Sequence, residues 1–203
     1  MQVTRAEVGE GGAVLSLLER AMAEDPFVAW LARPGPRHAR ARRAYVSMML
    51  ERIALPRGEV YVARDDGVLL GAALYAPPHT FDLGAAETLR ILPLMVDVIG
   101  IGRMTSISRT LDLIDAARPP EPRWLLTMIG VDPSARGRGV GGALLQPVLE
   151  ACDTSGLDLI AETANPAALP FYARWGFDTL EERPLDETTT SWTLRRPGHQ
   201  PED

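Results

Sequence analysis

A glycine-rich segment, Gly137 to Gly142, follows a strongly apolar run and precedes a stretch with helical spacing. Successive backbone N–H groups in such a loop, together with the positive end of the following helix, form a concave set of donors that suits a pyrophosphate. Glycine at positions 139 and 141 would let the backbone approach the phosphates closely. The sequence therefore predicts a phosphate-binding loop made of Arg136, Gly137, Arg138, Gly139, Val140, Gly141 and Gly142.

The same loop also satisfies the dinucleotide-binding pattern G-x-G-x-x-G, and Glu162 lies about 20 residues beyond it, where a ribose-binding acid is found in that fold. Two observations count against a dinucleotide-binding oxidoreductase. The residues Asp132 to Arg136 separate the apolar run from the first glycine, whereas that motif needs a tight turn. The loop also starts at residue 137 of 203, which leaves too little chain for further βαβ units.

The composition excludes several kinds of chemistry. All 21 Lys+Arg residues are arginine, so the chain has no lysine for a Schiff base, a Walker-type phosphate loop or a protein-kinase site. Cys152 is the single cysteine, and the three histidines, His38, His79 and His199, are too scattered for a zinc site, so no metal is expected. Arginine, helix ends and backbone N–H groups remain as ways to hold a polyphosphate.

Charge and hydropathy patterns bear on partners and location. A net charge of -6 argues against nucleic acid as a partner, although Arg37, Arg40, Arg42 and Arg43 form a basic cluster that we interpret as a solvated helix face. The first residues lack an apolar signal region, and the longest apolar stretch, 91–102, is too short to span a membrane. We expect a cytoplasmic protein, without a membrane partner, that is a monomer or a homodimer.

The elements that must position the loop follow from periodicity and from turn signals. Asp65, Asp66 and Gly67 predict a tight hairpin turn, and the apolar run 124–131 predicts a central strand buried on both faces. No linker divides the chain, so one mixed α/β domain over 1–203 is expected. The predicted strands are 3–6, 59–64, 68–76, 124–131, 157–163 and two within 177–194. The predicted helices are 13–22, about 18 residues after Pro36, 83–117 with a break near Gly100 and Gly102, one after Gly139 and 166–175, with a loop over 25–30.

The order strand, glycine loop, helix, strand, Asn165, Tyr172 and Gly-Phe resembles the acyl-CoA-binding core of the GNAT N-acetyltransferases. The segments that carry this resemblance are WLLTMIGVDPSARGRGVGGALL, LIAET and FYARWGF. Within that superfamily the chain is similar to the puromycin N-acetyltransferases and their relatives, most closely over 121–177. The resemblance implies an α+β fold with a mostly antiparallel sheet of six to seven strands, flanked by helices and splayed between its central strands.

The resemblance also implies a cofactor, acetyl-CoA, and a place for it. Its pantetheine arm would lie between the strands that end at Val131 and Thr163, bonded to backbone groups of Ile129 and Val131. An N–H near Ile129 or Gly130 would face the thioester carbonyl and stabilise the oxyanion. Asn165 would hydrogen-bond the cofactor, but an Asn before Pro is as often a helix cap.

Two side chains are candidates for proton transfer. Tyr172 would act as general acid toward the departing CoA thiolate, because a phenol of pKa about 10 can protonate a thiolate within a transition-state hydrogen bond. Glu162, at the end of a predicted strand, would accept the proton of the amine. For both, the alternative is an ordinary structural role, as a core aromatic and an exposed carboxylate.

The acceptor is expected to be a small amine, such as an aminonucleoside or another antibiotic-like amine. The helical segment 84–117 would cover its site. Asp25 and His79 are lesser candidates for contact with it, and Trp30, Tyr45 and Phe81 could line its pocket. The alternatives are a peptide or protein amine, which would need an open groove, and a non-catalytic acyl-CoA-binding protein.

Overall fold

The computed structural model describes residues 1–7, 9–81, 85–120 and 122–199. Its helices are α1 Gly11–Ala21, α2 Pro26–Leu31, α3 His38–Met48, α4 Leu55–Arg57, α5 Ala85–Ile99, α6 Met104–Ala116, α7 Val140–Ser155 and α8 Leu169–Arg174. Its strands are β1 Gln2–Arg5, β2 Glu59–Asp65, β3 Val68–Ala76, β4 Trp124–Val131, β5 Leu159–Thr163, β6 Asp178–Pro184 and β7 Thr190–Arg196.

The seven strands form one sheet in the order β1-β2-β3-β4-β5-β7-β6. The pair β4 and β5 is parallel, and every other neighbouring pair is antiparallel. The mostly antiparallel sheet of six to seven strands expected from the sequence is thus confirmed. The hairpin of β2 and β3 turns at Asp66 and Gly67, which both have positive φ angles, as the Asp-Gly pair predicts.

The two central strands diverge. Pairing between β4 and β5 runs from Trp124–Leu159 to Leu126–Ala161, whereas β4 continues along β3 as far as the pair Val131–Gly71. A bulge accompanies the divergence, because Leu126 and Met128 pair with consecutive residues of β3 and leave Thr127 without a register partner on it. The expected splay between the central strands is confirmed. It opens the sheet between β4 and β5, at the carboxyl ends of these two strands.

Helices cover both faces of the sheet. On one face α7 buries Leu144, Leu145 and Val148 against β3 and β4, and α8 adds Tyr172 to the same core. On the other face α1 and α3 pack with Leu18 and neighbouring side chains against alternate residues of the same strands. A third apolar cluster joins α2, α5 and α6 beside the sheet.

The helices differ from the sequence expectations in one place, and the structure adds detail in two others. The stretch predicted as a loop at 25–30 is largely helix α2, because Asp25 caps it by accepting from the Val28 N–H at 2.9 Å and Pro26 occupies its first position. Helix α3 continues through a π-helical turn, Met49–Ala54, into α4. The helical region predicted at 83–117 is two helices separated by Gly100, with φ of 84°, and a 3₁₀ turn, so the break predicted near Gly100 and Gly102 is confirmed.

Two ends of the predicted segments, Gly84 and Glu121, lie outside the described residues. Within the described part of the chain, none of the helices is by itself long and apolar enough to cross a membrane. The adjoining segments Thr88–Ile99 and Ile101–Ala116 meet the length and composition criteria only when taken together, and they are bent by 96°.

Candidate active site

A cavity of about 900 Å³ lies at the splay between β4 and β5. Its walls come from residues 127–131 of β4 and 160–163 of β5, from the start of α2, from α3, α5 and α6, and from Asn165 and α8. Because β4 and β5 stop pairing at Leu126 and Ala161, the cavity reaches the backbone of both strands. A site made in this way can hold an extended chain along β4 and a second molecule under the helices.

The loop predicted to bind phosphate begins with a short capped turn. Asp132 accepts hydrogen bonds from the hydroxyl of Ser134 at 2.7 Å and from its N–H at 3.1 Å, and pairs with Arg20 at 2.9 Å. The Ser134 hydroxyl, then Arg20, lower the pKa of Asp132 to about 2. This carboxylate therefore orders the loop entrance.

The first glycines of the loop leave open space beside the backbone. Gly137 and Gly139 have φ angles of 75° and 80°, which favour glycine, and a Cβ on either would meet no atom within 4 Å. Gly139 is also the N-cap residue of α7, so its neighbours present the free N–H groups of the helix start. The loop thus presents open backbone and free N–H groups, and its binding of a phosphate stays a prediction.

The later glycines have a packing reason that the sequence did not reveal. A Cβ on Gly142 would lie 2.3 Å from Cζ2 of Trp175, and one on Gly141 would lie 3.3 Å from the ring of Phe171. Val140 is buried in the core beneath them. In the structure Gly141 and Gly142 let α8 and the residue after it pack against α7, and the approach of Gly141 to a phosphate stays a prediction.

The two arginines of the loop differ in their surroundings. Arg136 is exposed, lines the cavity, and donates a long hydrogen bond of 3.4 Å to the Ala21 carbonyl. Arg138 forms an ion pair with Asp65 of the β2–β3 hairpin at 3.0 Å. Arg136 is therefore the loop cation placed at the cavity.

The predicted backbone site on β4 lies in the wall of the cavity. Ile129, Gly130 and Val131 all line it, and their strand pairs with β3 along the opposite edge. A Cβ on Gly130 would lie 2.8 Å from Cβ of Ala21 on α1, so this glycine allows α1 to pack closely. In the described chain no strand pairs with the β5-facing edge of β4 beyond Leu126, so that edge can bond an extended ligand.

Asn165 also lines the cavity and is exposed. Its Oδ1 accepts from the Ala167 N–H at 3.1 Å, which caps the turn Pro166–Ala168. The capping role that the sequence left open is present. It uses the side-chain oxygen, and an amide also carries two N–H donors.

Tyr172 lies on α8 at the cavity and is only 5% exposed. Its ring packs edge-on against Phe171 and Phe177, with centroids 5.2 and 5.3 Å away. Burial, and then the charge of Asp25, raise the pKa of Tyr172 above its ordinary value. The phenol is therefore a protonated group at the cavity wall, as a general acid requires.

Glu162 lies on β5 at the cavity, but it is already paired. Its Oε1 accepts from Nε of Arg118 at 2.8 Å, and Arg118 also bonds Asp115. Burial alone would lower the pKa of Arg118, but Glu162 and then Asp115 outweigh it and raise that pKa. Sequence analysis missed Arg118, because an arginine after a predicted helix gives no local signal of a partner on a distant strand.

The predicted acceptor residues divide into two groups. Asp25, Tyr45 and Phe81 line the cavity. Trp30 does not, since it is buried among the side chains of α2, α5 and α6, and His79 lies outside the lining, in the turn after β3. The lining also contains apolar residues that the sequence did not single out: Phe27, Met48, Met49, Ile53, Ile91, Met95 and Leu111.

Comparison with solved structures identifies the same fold in other proteins. A Corynebacterium glutamicum protein described as histone acetyltransferase HPA2 and related acetyltransferase matches 100% of this chain and 98% of its own at a TM-score of 0.75 and 23% identity. A Drosophila melanogaster polyamine N-acetyltransferase matches 96% and 98% at 0.60 and 18% identity. A Brucella melitensis ribosomal-protein-alanine N-acetyltransferase matches 97% and 99% at 0.55 and 17% identity.

The family model for the GNAT acetyltransferases matches residues 21–177, which include β4, the glycine loop, β5 and α8. This range contains most of the cavity walls and each of the predicted cofactor-binding residues. The splayed strands, the loop before α7 and the buried tyrosine on α8 all lie within the range that the family model matches. The chain belongs to the GNAT family of acetyltransferases.

Proposed function

We propose that this acetyltransferase uses acetyl-CoA to acetylate the amino group of a compact, largely apolar small molecule. The observation that carries the proposal is the cavity, whose lining includes many apolar side chains of helices together with three carboxylates, Glu24, Asp25 and Glu162. By resemblance to the puromycin N-acetyltransferases, an aminonucleoside or another antibiotic-like amine is the acceptor class we favour.

The residues present fit acetyl-CoA. The open backbone at Gly137 and Gly139, the start of α7 and Arg136 suit its pyrophosphate, and the unpaired edge of β4 suits the amides of its pantetheine arm. When bound, acetyl-CoA supplies an activated acetyl thioester and a thiolate leaving group. None of these contacts needs a lysine or a metal, which agrees with the composition.

The chain's own groups then have separate roles in transfer. A backbone N–H near Ile129 or Gly130 stabilises the oxyanion of the tetrahedral intermediate, a contribution of about 3–4 kcal/mol where such donors have been removed. Tyr172 holds its proton at the cavity wall and gives it to the departing sulfur. A carboxylate of the cavity takes the proton of the incoming ammonium; the sequence favoured Glu162, but in the structure Glu162 is already paired with Arg118.

The position of helices α5 and α6 in the cavity wall is an argument for a small acceptor. Ile91 and Met95 of α5 and Leu111 of α6 form part of the cavity wall, together with α3. A peptide acceptor needs an extended open groove, whereas these helices stand over the inner end of the site. We therefore propose the described part of the segment 84–117 as the cover of the acceptor site.

A thiol-release screen tests this function. Purified protein is supplied with acetyl-CoA and a panel of primary amines that includes puromycin, 2-phenylethylamine and agmatine, alongside peptides with free N-terminal alanine or internal lysine. We expect at least one apolar small amine to give a kcat/KM at least 100-fold above that of any peptide. Faster turnover of a peptide would overturn the small-molecule assignment while leaving the family assignment intact.

A further inference from the structure

Three carboxylates line the cavity: Glu24 is exposed, whereas Asp25 and Glu162 are partly buried and have different surroundings. Glu162 and Arg118 have side chains 20% and 19% exposed, and they form a hydrogen-bonded ion pair at 2.8 Å. A carboxylate held in this way is already compensated by a cation, so a substrate ammonium must compete with Arg118 for it. Through Arg118, which directly follows the proposed cover 84–117 and also bonds Asp115 of α6, Glu162 ties β5 to that cover.

Asp25 is held differently. Its Oδ1 accepts from the Val28 N–H at 2.9 Å, which fixes the carboxylate at the start of α2 without neutralising its charge. The nearby guanidinium of Arg42 donates to the Met22 carbonyl at 2.9 Å. Burial raises the pKa of Asp25, and the backbone donors and Arg42 only partly offset that effect. Asp25 is therefore a partly buried carboxylate with an incompletely satisfied charge.

Asp25 lines the same cavity as the proposed acid. Burial first, and then the charge of Asp25, raise the pKa of both Tyr172 and Tyr45. All of these groups line one cavity. A cation bound by Asp25 would thus lie in the same space as the phenol from which the departing sulfur takes its proton.

From this arrangement we propose that Asp25 binds the ammonium group of the acceptor and accepts its proton, while Glu162 holds the cavity cover through Arg118. This inference rests on the proposed function and names its substrate-recognition residue. In the step, one N–H bond of the ammonium breaks, the proton passes to a carboxylate oxygen of Asp25, and the electron pair stays on nitrogen as the nucleophile. The proton then leaves Asp25 for solvent, so the carboxylate is regenerated.

The proposal also defines the class of acceptor. The carboxylate requires a cationic amine, and the apolar side chains that line the same cavity, such as Phe27, Met49 and Met95, suit an aromatic or aliphatic body. A neutral molecule of the same shape leaves Asp25 buried and unpaired, so it should bind much more weakly. Charge and apolar volume together would select the substrate.

Asp25→Asn is the informative variant. Asparagine is as good an N-cap as aspartate, so α2 keeps its cap while the charge is removed. Glu162→Gln removes the charge of the other partly buried carboxylate of the cavity. Glu150→Gln removes an exposed charge on α7 and is the matched control. The probes are 2-phenylethylamine and its neutral isostere 2-phenylethanol, measured by calorimetric binding in the presence of CoA and by thiol release with acetyl-CoA.

We expect the wild type to bind the amine at least tenfold more tightly than the alcohol, and Asp25→Asn to lose that preference together with at least 100-fold in kcat/KM. Glu162→Gln and Glu150→Gln should keep the preference. Equal amine binding by wild type and Asp25→Asn, or loss of the preference in Glu162→Gln alone, would overturn the inference, as would a wild type that does not prefer the amine. A wild type that binds amines through Asp25 but acetylates none would instead refute the proposed function.

Discussion

Substituting Tyr172 by phenylalanine removes a single oxygen from the cavity wall. The ring of Tyr172 packs edge-on against Phe171 and Phe177 and is 5% exposed, so phenylalanine fills the same space with the same contacts. We therefore expect the melting temperature to change little. Any large change in turnover then reports on the hydroxyl itself.

The size of the effect follows from the acid strength of the phenol. Burial raises the pKa of Tyr172 above 10, so the group stays protonated throughout the neutral and mildly alkaline range. A CoA thiol has a pKa near 8.5, so full transfer from the phenol to a free thiolate is unfavourable, and the proton moves only as the C–S bond breaks. General acid catalysis of this kind contributes about 10² to 10⁴ in rate, and its loss should lower kcat by about 10², or about 2.7 kcal/mol.

The assay is thiol release at saturating acetyl-CoA and amine, with the affinity for acetyl-CoA measured separately by calorimetry. We expect kcat to fall while acetyl-CoA affinity stays within about twofold. Tyr61→Phe is the matched control, because Tyr61 bonds Glu59 at 3.0 Å on β2 and lies outside the cavity lining. An unchanged kcat in Tyr172→Phe, or an equal loss in both variants, would refute the assignment of Tyr172 as the acid.

Two further substitutions and one labelling experiment test the structure around the site. Gly142→Ala should lower stability by about 1–3 kcal/mol in a thermal melt, because its Cβ would lie 2.3 Å from the ring of Trp175. Gly12→Ala on α1 is the control and should not lower stability, because its Cβ meets open space. Equal melting temperatures of the two variants would contradict the packing of Gly142 against Trp175. Arg118→Met should lower the free energy of unfolding, measured with denaturant, by about 1–3 kcal/mol, because its carboxylate partner on β5 is left unpaired. An unchanged free energy of unfolding would show that this ion pair does not stabilise the fold. Burial raises the pKa of Cys152 to about 12, so the thiolate is scarce at pH 8 and a thiol reagent should label the chain only after unfolding; rapid labelling of the native protein would count against its burial.

The parts of the fold that the sequence predicted have strong local signals. The hairpin of β2 and β3 is specified by an Asp-Gly turn, β4 by an uninterrupted apolar run, and the loop before α7 by its glycines. Helix α2 was missed because six residues are too few to show a helical period, although Asp25 and Pro26 are themselves start signals. Local pattern thus sufficed where an element is long or its turn is chemically distinctive.

The site was only partly predictable, for a physical reason. The cofactor loop is one continuous segment, so its chemistry is visible in order along the chain. The inner cavity instead collects side chains from α2, α3, α5, α6 and β5, and its ion pair joins Arg118 to Glu162 across 44 positions. Trp30 shows the opposite case, because an aromatic residue near the site in sequence turns out to pack between helices. Such long-range pairings depend on topology, which a single sequence does not display.

The most direct test of the central claim is mass analysis of the acceptor after incubation with the protein and acetyl-CoA. The account predicts that each mole of CoA released is matched by a mole of N-acetylated small amine, and that both signals fall together in Tyr172→Phe. Release of CoA without an acetylated amine, or binding of NAD(P) with no affinity for CoA, would contradict it.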